Sequence, residues 1–134
     1  MDNYNNVDIV LMKFILLLTI TWLANGSIKF IINSLLYKNN GLKLIGYGGF
    51  PSTHTAIVSS LFFYTGMTEG FENIVMVPLL VIFWVVVNDA LFLRMNIEQH
   101  AKNLNKLDKS SSHRERIGHK IHDIIGGSAL GFLI

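Results

Sequence analysis

The sequence predicts an all-α protein: a polytopic helical membrane bundle of about four to five helices, one of them short or re-entrant. Two observations carry that expectation. Apolar residues make up 51% of the 134 residues and charged residues only 15%, against roughly 25% charged in an average soluble domain. The apolar residues also gather into blocks near the length of about 20 that a helix needs to cross hydrocarbon. With nine Phe, two Trp and four Tyr, the chain has too little polar surface to cover a water-facing globule. Its length allows about one domain, spanning 1–134, with a polar loop at about 95–118. There is no cysteine, which excludes disulfides and thiolate metal sites. A net charge of +2 is too small to argue for nucleic acid as a partner.

The first apolar block covers residues 7–24, with Asp8 and Lys13 near its start. It reads as a retained membrane segment, because the residues before it lack a basic region and no small-x-small site follows. After a turn at Asn25-Gly26-Ser27, residues 28–37 are too short to cross and suit half of a re-entrant hairpin. The stretch "KNNG" at 38–41 marks a loop. The third block runs over 54–67 and the fourth over 74–87, with Pro78 in its first turns, where a missing N–H costs least. The fifth runs from about His119 to the terminus.

Lipid offers no hydrogen bonds to unpaired backbone, so the blocks should be helices. Their order then brings residues 48–54, 88–94 and 118–123 to one membrane face. That face also carries Lys38, Lys43, Lys102, Lys106, Lys109, Arg114, Arg116 and Lys120, which makes it cytoplasmic by the positive-inside rule. Lys102, Lys106 and Lys109 read as a solvated or headgroup-facing surface.

Three polar clusters at this face have chemical potential. In "GGFPSTH", residues 48–54, Gly48 and Gly49 let backbone N–H groups approach a ligand. Ser52 and Thr53 are N-cap types that also bond phosphate oxygens, at a helix start that favours anions. His54 exchanges protons near neutral pH. The same stretch also fits a helix cap with an interfacial histidine. His119-x3-Asp123 places a carboxylate on the imidazole's helix face, where it could orient a nucleophile; His122 faces elsewhere. Simple pairing of two polar residues at a helix start reads the same way. Asp89, Arg94, Gln99 and Asn103, with Asn105 nearby, fit a polar cavity or interfacial snorkelling. Lys29 is the lone cation of the second segment. It reaches a bound phosphate if that segment is a half-depth hairpin, and otherwise snorkels. Gly127-x3-Gly131 permits close helix contact.

Together these residues resemble the type-2 phosphatidic-acid phosphatase superfamily, related to the vanadium-dependent haloperoxidases. Its pattern is a Lys/Arg motif, then Pro-Ser-Gly-His, then Ser-Arg-x5-His-x3-Asp. Here Pro51-Ser52-Thr53-His54 resembles the middle motif and His119-x3-Asp123 the last. The likeness is closer to a divergent branch, whose "GGMPSSHSA" is similar to residues 48–56 and whose "xDAxGVRRxAGxQAxxLN" is similar to residues 88–105. Lys29 lines up with that branch's lysine. The likeness covers roughly residues 20–134. Lys29 stands without the Arg-Pro of the first motif, and His113 stands where the last motif has Arg, with Arg114 and Arg116 out of register.

The resemblance implies metal-independent phosphoryl transfer with no cofactor. His119 would attack phosphorus, Asp123 would orient it, and His54 would protonate the leaving oxygen and then activate water. Lys29, Ser52, Thr53, Arg94 and the N–H groups of Gly48 and Gly49 would hold the phosphate. Asp89, Gln99 and Asn103 would stand behind them. The implied substrate is a lipid or polyprenyl phosphate among membrane lipids, and a homodimer is the expected assembly. The alternative is a non-catalytic membrane protein binding an anionic headgroup or a partner through the same pocket.

Overall fold

The computed structural model describes residues 2–37, 48–110 and 112–134; the predicted "KNNG" loop and Lys43 lie outside them. It is all-α, with no strand among the described residues. Helix α1 spans Asp2–Tyr37 and α2 spans Thr53–Glu69. Helix α3, Met76–Asn88, passes through a π-helical turn, Asp89–Leu93, into α4, Arg94–Leu107. Helix α5 is Ile121–Leu133. Helix α2 is central and packs against α1, α3 and α5.

The first two sequence blocks are one helix. At 36 residues, α1 is about 54 Å long. The expected turn at Asn25-Gly26-Ser27 does not form. Asn and Gly break helices in water by offering the backbone other partners; in hydrocarbon the helix supplies the available ones. Asn25 instead turns inward, 0% exposed, and accepts a hydrogen bond from Thr53 Oγ1 at 2.7 Å. A single rod removes the need for a hairpin to bring Lys29 to the motif face. The polar stretch at 95–118 also departs from a loop, since its first part is α4 and only 108–110 and 112–120 are irregular.

The packing is polar inside and apolar outside. On α1, Leu17, Thr21, Asn25, Lys29 and Asn33 are buried at every fourth residue, so one stripe faces the bundle. Ser52, Thr55, Ser59, Ser60 and Thr65 of α2 and its cap are also buried. Large apolar side chains such as Leu16, Ile31, Leu35, Val81 and Trp84 are exposed. Two helical stretches, Val7–Leu36 and Met76–Leu107, are long and apolar enough to cross a membrane, and only 11% of an 18-residue apolar window in each is buried. A soluble core helix would be mostly buried, so this arrangement is consistent with a membrane protein.

Helices α2 and α5 cross with backbones nearly touching. A Cβ on Gly127 would lie 2.4 Å from the Ser52 carbonyl oxygen, and one on Gly131 2.4 Å from that of Ala56. Small residues permit this approach. Gly127→Leu should therefore lose about 1–3 kcal/mol of stability, because backbone cannot step aside. Gly26→Ala should gain about 0.5–1 kcal/mol, since a Cβ at Gly26 meets nothing within 4 Å and the helix runs straight through. Thermal unfolding in detergent checks both. An Ala at residue 26 that destabilised the protein would contradict a continuous α1.

Candidate active site

The site begins at the N-terminus of α2. Ser52 caps the helix, with its Oγ accepting from Thr55 N–H at 3.4 Å and sharing a 2.8 Å hydrogen bond with Thr55 Oγ1. Its own N–H donates to the Asp123 carbonyl at 2.9 Å. Ser52 is 0% exposed, so its hydroxyl faces helix rather than cavity. A helix leaves its first N–H groups without intrahelical partners. Here those of Ser52 and Thr55 are taken, which leaves Thr53 and His54 as open donors at the positive end of the dipole.

One cavity of about 410 Å³ collects the chemistry. Its lining includes Lys29 of α1, Thr53 and His54 of α2, Arg94 at the start of α4, and Arg114 and His119 of the irregular segment. That volume falls within the range of small-molecule sites. Arg94 is aimed by Asp89, whose Oδ2 accepts from Arg94 Nε. The π turn between them, closed by Arg94 N–H on the Asp89 carbonyl, adds one residue to the helix at this point. Such insertions recur at functional sites.

The segment bearing Arg114 and His119 is held from α4. Asn105 grips His113 twice: its Nδ2 donates to the His113 carbonyl at 2.8 Å, and its Oδ1 accepts from the His113 N–H at 2.7 Å. Glu98 Oε2 accepts from the N–H groups of Ile117 and Gly118 at 3.2 and 3.1 Å, while its Oε1 pairs with Lys102. The His119 N–H donates to the Ala90 carbonyl at 3.3 Å, inside the π turn. Gly118 and Gly48 allow the close passage: a Cβ on Gly48 would lie 2.5 Å from the Gly118 oxygen.

His119 is 5% exposed, and neither ring nitrogen has a hydrogen-bond partner. Burial pushes the imidazole's pKa down to about 4; Lys29, Arg94 and His54 push the same way, and Asp123 opposes them. The ring is therefore neutral at pH 7, with a lone pair available to a ligand. An unpaired buried polar group costs about 1–3 kcal/mol, which a bound anion would relieve.

Several expected roles fall elsewhere. His119 precedes α5 by two residues, so it does not share a helix face with Asp123. Asp123 Oδ2 accepts from the Lys120 N–H at 2.8 Å, and its Oδ1 lies 3.1 Å from His122 Nε2. It caps α5 and faces His122, the histidine expected to be idle. Ser52 is a cap. The Gly48 N–H donates to the Arg116 carbonyl at 3.1 Å and so is not free for phosphate. Gly49, with φ of 124°, lines a neighbouring cavity against Arg116. The Thr53 hydroxyl gives its proton to Asn25. Gln99 and Asn103 bond each other on the exposed face of α4 and stay out of the cavity. Arg114, set aside in the sequence as out of register, lines it. No register applies, because the segment is not helical. Asn33 and Glu98 were overlooked, although Thr21, Asn25, Lys29 and Asn33 recur at helical spacing, and Asn105, expected near a polar cavity, holds the backbone of His113 instead.

A family model described as the divergent PAP2 family matches residues 11–134. No curated protein and no solved structure matches the chain.

The low pKa of His119 gives a direct test. By nitrogen-15 NMR of histidine-labelled protein, its ring should stay neutral from pH 8 down to near pH 4. Unfolded histidine titrates near 6.5, so between about 6.5 and 4 the unfolded chain binds the extra proton. Stability contributed by this group is thus present above 6.5 and is lost as pH falls toward 4. A ring that protonates at pH 6 or above would contradict the buried, cation-flanked site.

Proposed function

The chain belongs to the divergent PAP2 family, and on that premise we propose that it is a membrane-embedded phosphatase hydrolysing a lipid or polyprenyl phosphate through a phosphohistidine. The observation that carries the reading is His119: a neutral, buried imidazole without hydrogen-bond partners, in one cavity with Lys29, His54, Arg94 and Arg114. A phosphate monoester is the ligand that such a set would satisfy, with three cations around its equatorial oxygens and two first-turn N–H groups beside them.

The steps follow from these positions. A ring nitrogen of His119 attacks phosphorus in line with the leaving oxygen. As the N–P bond forms, the P–O bond breaks, and His54, once it has taken up a proton beside the bound anionic substrate, gives that proton to the departing alkoxide. Neutral His54 then takes a proton from water. The resulting hydroxide attacks phosphorus, the N–P bond breaks, and inorganic phosphate leaves with His119 neutral and His54 protonated again. Lys29, Arg94 and Arg114 act by position and charge, which supply most of the rate in phosphoryl transfer. No metal takes part in this scheme. The site lies at the basic face, read as cytoplasmic from Lys102, Lys106, Lys109, Arg114, Arg116 and Lys120.

One observation favours the second reading, an anion-binding membrane protein without turnover. The Asp123 carboxylate is engaged with the Lys120 N–H and His122 and makes no hydrogen bond to His119, so the nucleophile lacks its orienting partner in this state.

Purified protein should release phosphate from phosphatidic acid or a polyprenyl phosphate in micelles, undiminished by chelator. His119→Ala should lose turnover entirely, and His54→Ala should lose about 10²–10⁴-fold. Alkaline quenching with phosphorus-32 substrate should trap a base-stable, acid-labile phosphoprotein in wild type and none in His119→Ala. Wild-type activity in both variants would overturn the assignment. Vanadate binding without any phosphate release would establish the second reading instead.

A further inference from the structure

The cavity is amphiphilic, and its apolar part lies on the lipid side. Beyond the charged residues its lining is Trp22, Gly26 and Phe30 of α1 and Ile57 of α2. Trp22, Gly26 and Phe30 follow one another at four-residue spacing, beside the buried polar stripe that holds Lys29. Trp22 is 59% exposed and Phe30 40%, and both sit within the apolar span Val7–Leu36. Trp22 lies two turns from Lys29, about 10 Å deeper along the helix.

Gly26 has no packing reason to be glycine. Gly66, Gly126, Gly127 and Gly131 are helical glycines against which another group presses, so that a Cβ would clash. Among the described glycines, Gly26 alone has nothing within 4 Å of the Cβ position. A glycine inside a helix costs about 0.5–1 kcal/mol relative to alanine, with no contact here to offset it. What its missing side chain leaves is a notch between two aromatic rings, one turn to either side, open to the bilayer and continuous with the cavity.

We propose that this notch, bounded by Trp22, Gly26 and Phe30 of α1 and by Ile57 of α2, is the portal through which the hydrocarbon tail of a phosphorylated amphiphile leaves the cavity sideways into the bilayer. The proposal rests on the reading of the cavity as the seat of that amphiphile's phosphate. It adds where the tail runs and which residues select for it. A phosphate held by Lys29, Arg94 and Arg114 has its ester oxygen one or two turns of α1 from the notch, and a chain leaving there stays in hydrocarbon throughout. Trp22 and Phe30 give it flat apolar walls. A bulky side chain at residue 26 would fill the gap and discriminate against long tails.

Tryptophan quenching tests this independently of turnover. The chain has two Trp, so Trp84→Phe leaves Trp22 as the sole reporter. The full-length protein is placed in nanodiscs of zwitterionic lipid. Phosphatidic acid with mid-chain brominated tails is compared with phosphatidylglycerol carrying the same tails, an anionic phosphodiester. The monoester should half-quench Trp22 at a mole fraction at least fivefold lower than the diester, and millimolar orthovanadate should remove that preference. Adding Gly26→Phe should bring the two lipids within twofold, while Gly26→Ala keeps them apart. Equal quenching by both lipids in the sole-Trp protein, a preference that vanadate does not touch, or one that survives Gly26→Phe would each overturn the portal. Phosphate release in the same nanodiscs separates the two ideas. Preferential quenching without release supports the portal and sinks the phosphatase, whereas release without preferential quenching does the reverse.

Discussion

The close crossing of α2 and α5 is the constraint on which the rest depends. Gly127 and Gly131 let α5 lie against the backbone of α2, and the Ser52 N–H to Asp123 carbonyl bond ties the helix starts together. Inside a bilayer there is no water to satisfy either group if they part. Because both helices begin at this tie, the residues flanking their first turns become neighbours: Thr53 and His54 on one, His119 on the other. The cavity is thus a by-product of two helix starts being forced to one level, and the open first-turn N–H groups of α2 give it a positive edge.

A second layer of contacts fixes the place of His119. The π turn at Asp89–Leu93 aims Asp89 at Arg94 and receives the His119 N–H on the Ala90 carbonyl. Glu98 and Asn105 hold the irregular segment at four backbone groups. These holds act on the backbone, leaving the His119 and Arg114 side chains turned toward the cavity. The burial that keeps His119 neutral also leaves its ring nitrogens without hydrogen-bond partners. Lys29, Arg94 and Arg114 line the cavity around it.

Much of this was legible in the sequence. Helices α2, α3 and α5 were visible as apolar blocks, and their alternation across the membrane was enough to bring His54, Arg94 and His119 to one face. What misled was chemistry calibrated on water. Asn25-Gly26-Ser27 is a turn where solvent competes for the backbone, and it is uninterrupted helix in an apolar span. Ser52, Gly48 and Asp123 looked like ligand groups because they sit in the right motifs, yet Ser52 and Asp123 are used by the helix starts and the Gly48 N–H by the Arg116 carbonyl. Arg114 was hidden by counting helical register along a stretch that is not helical. The Glu98 and Asn105 holds are long-range, and no local pattern announces them.

The central claim is that one oxyanion sits among Lys29, His54, Arg94, Arg114 and His119. An experimental structure of the protein with orthovanadate bound tests it most directly. The account predicts a five-coordinate vanadium bonded to a ring nitrogen of His119, with its equatorial oxygens on the three cations and the first-turn N–H groups of α2, and His54 at the apical oxygen opposite. Vanadate seated instead in the neighbouring cavity beside Arg116 and Lys120, or His119 turned away from it, would contradict the account.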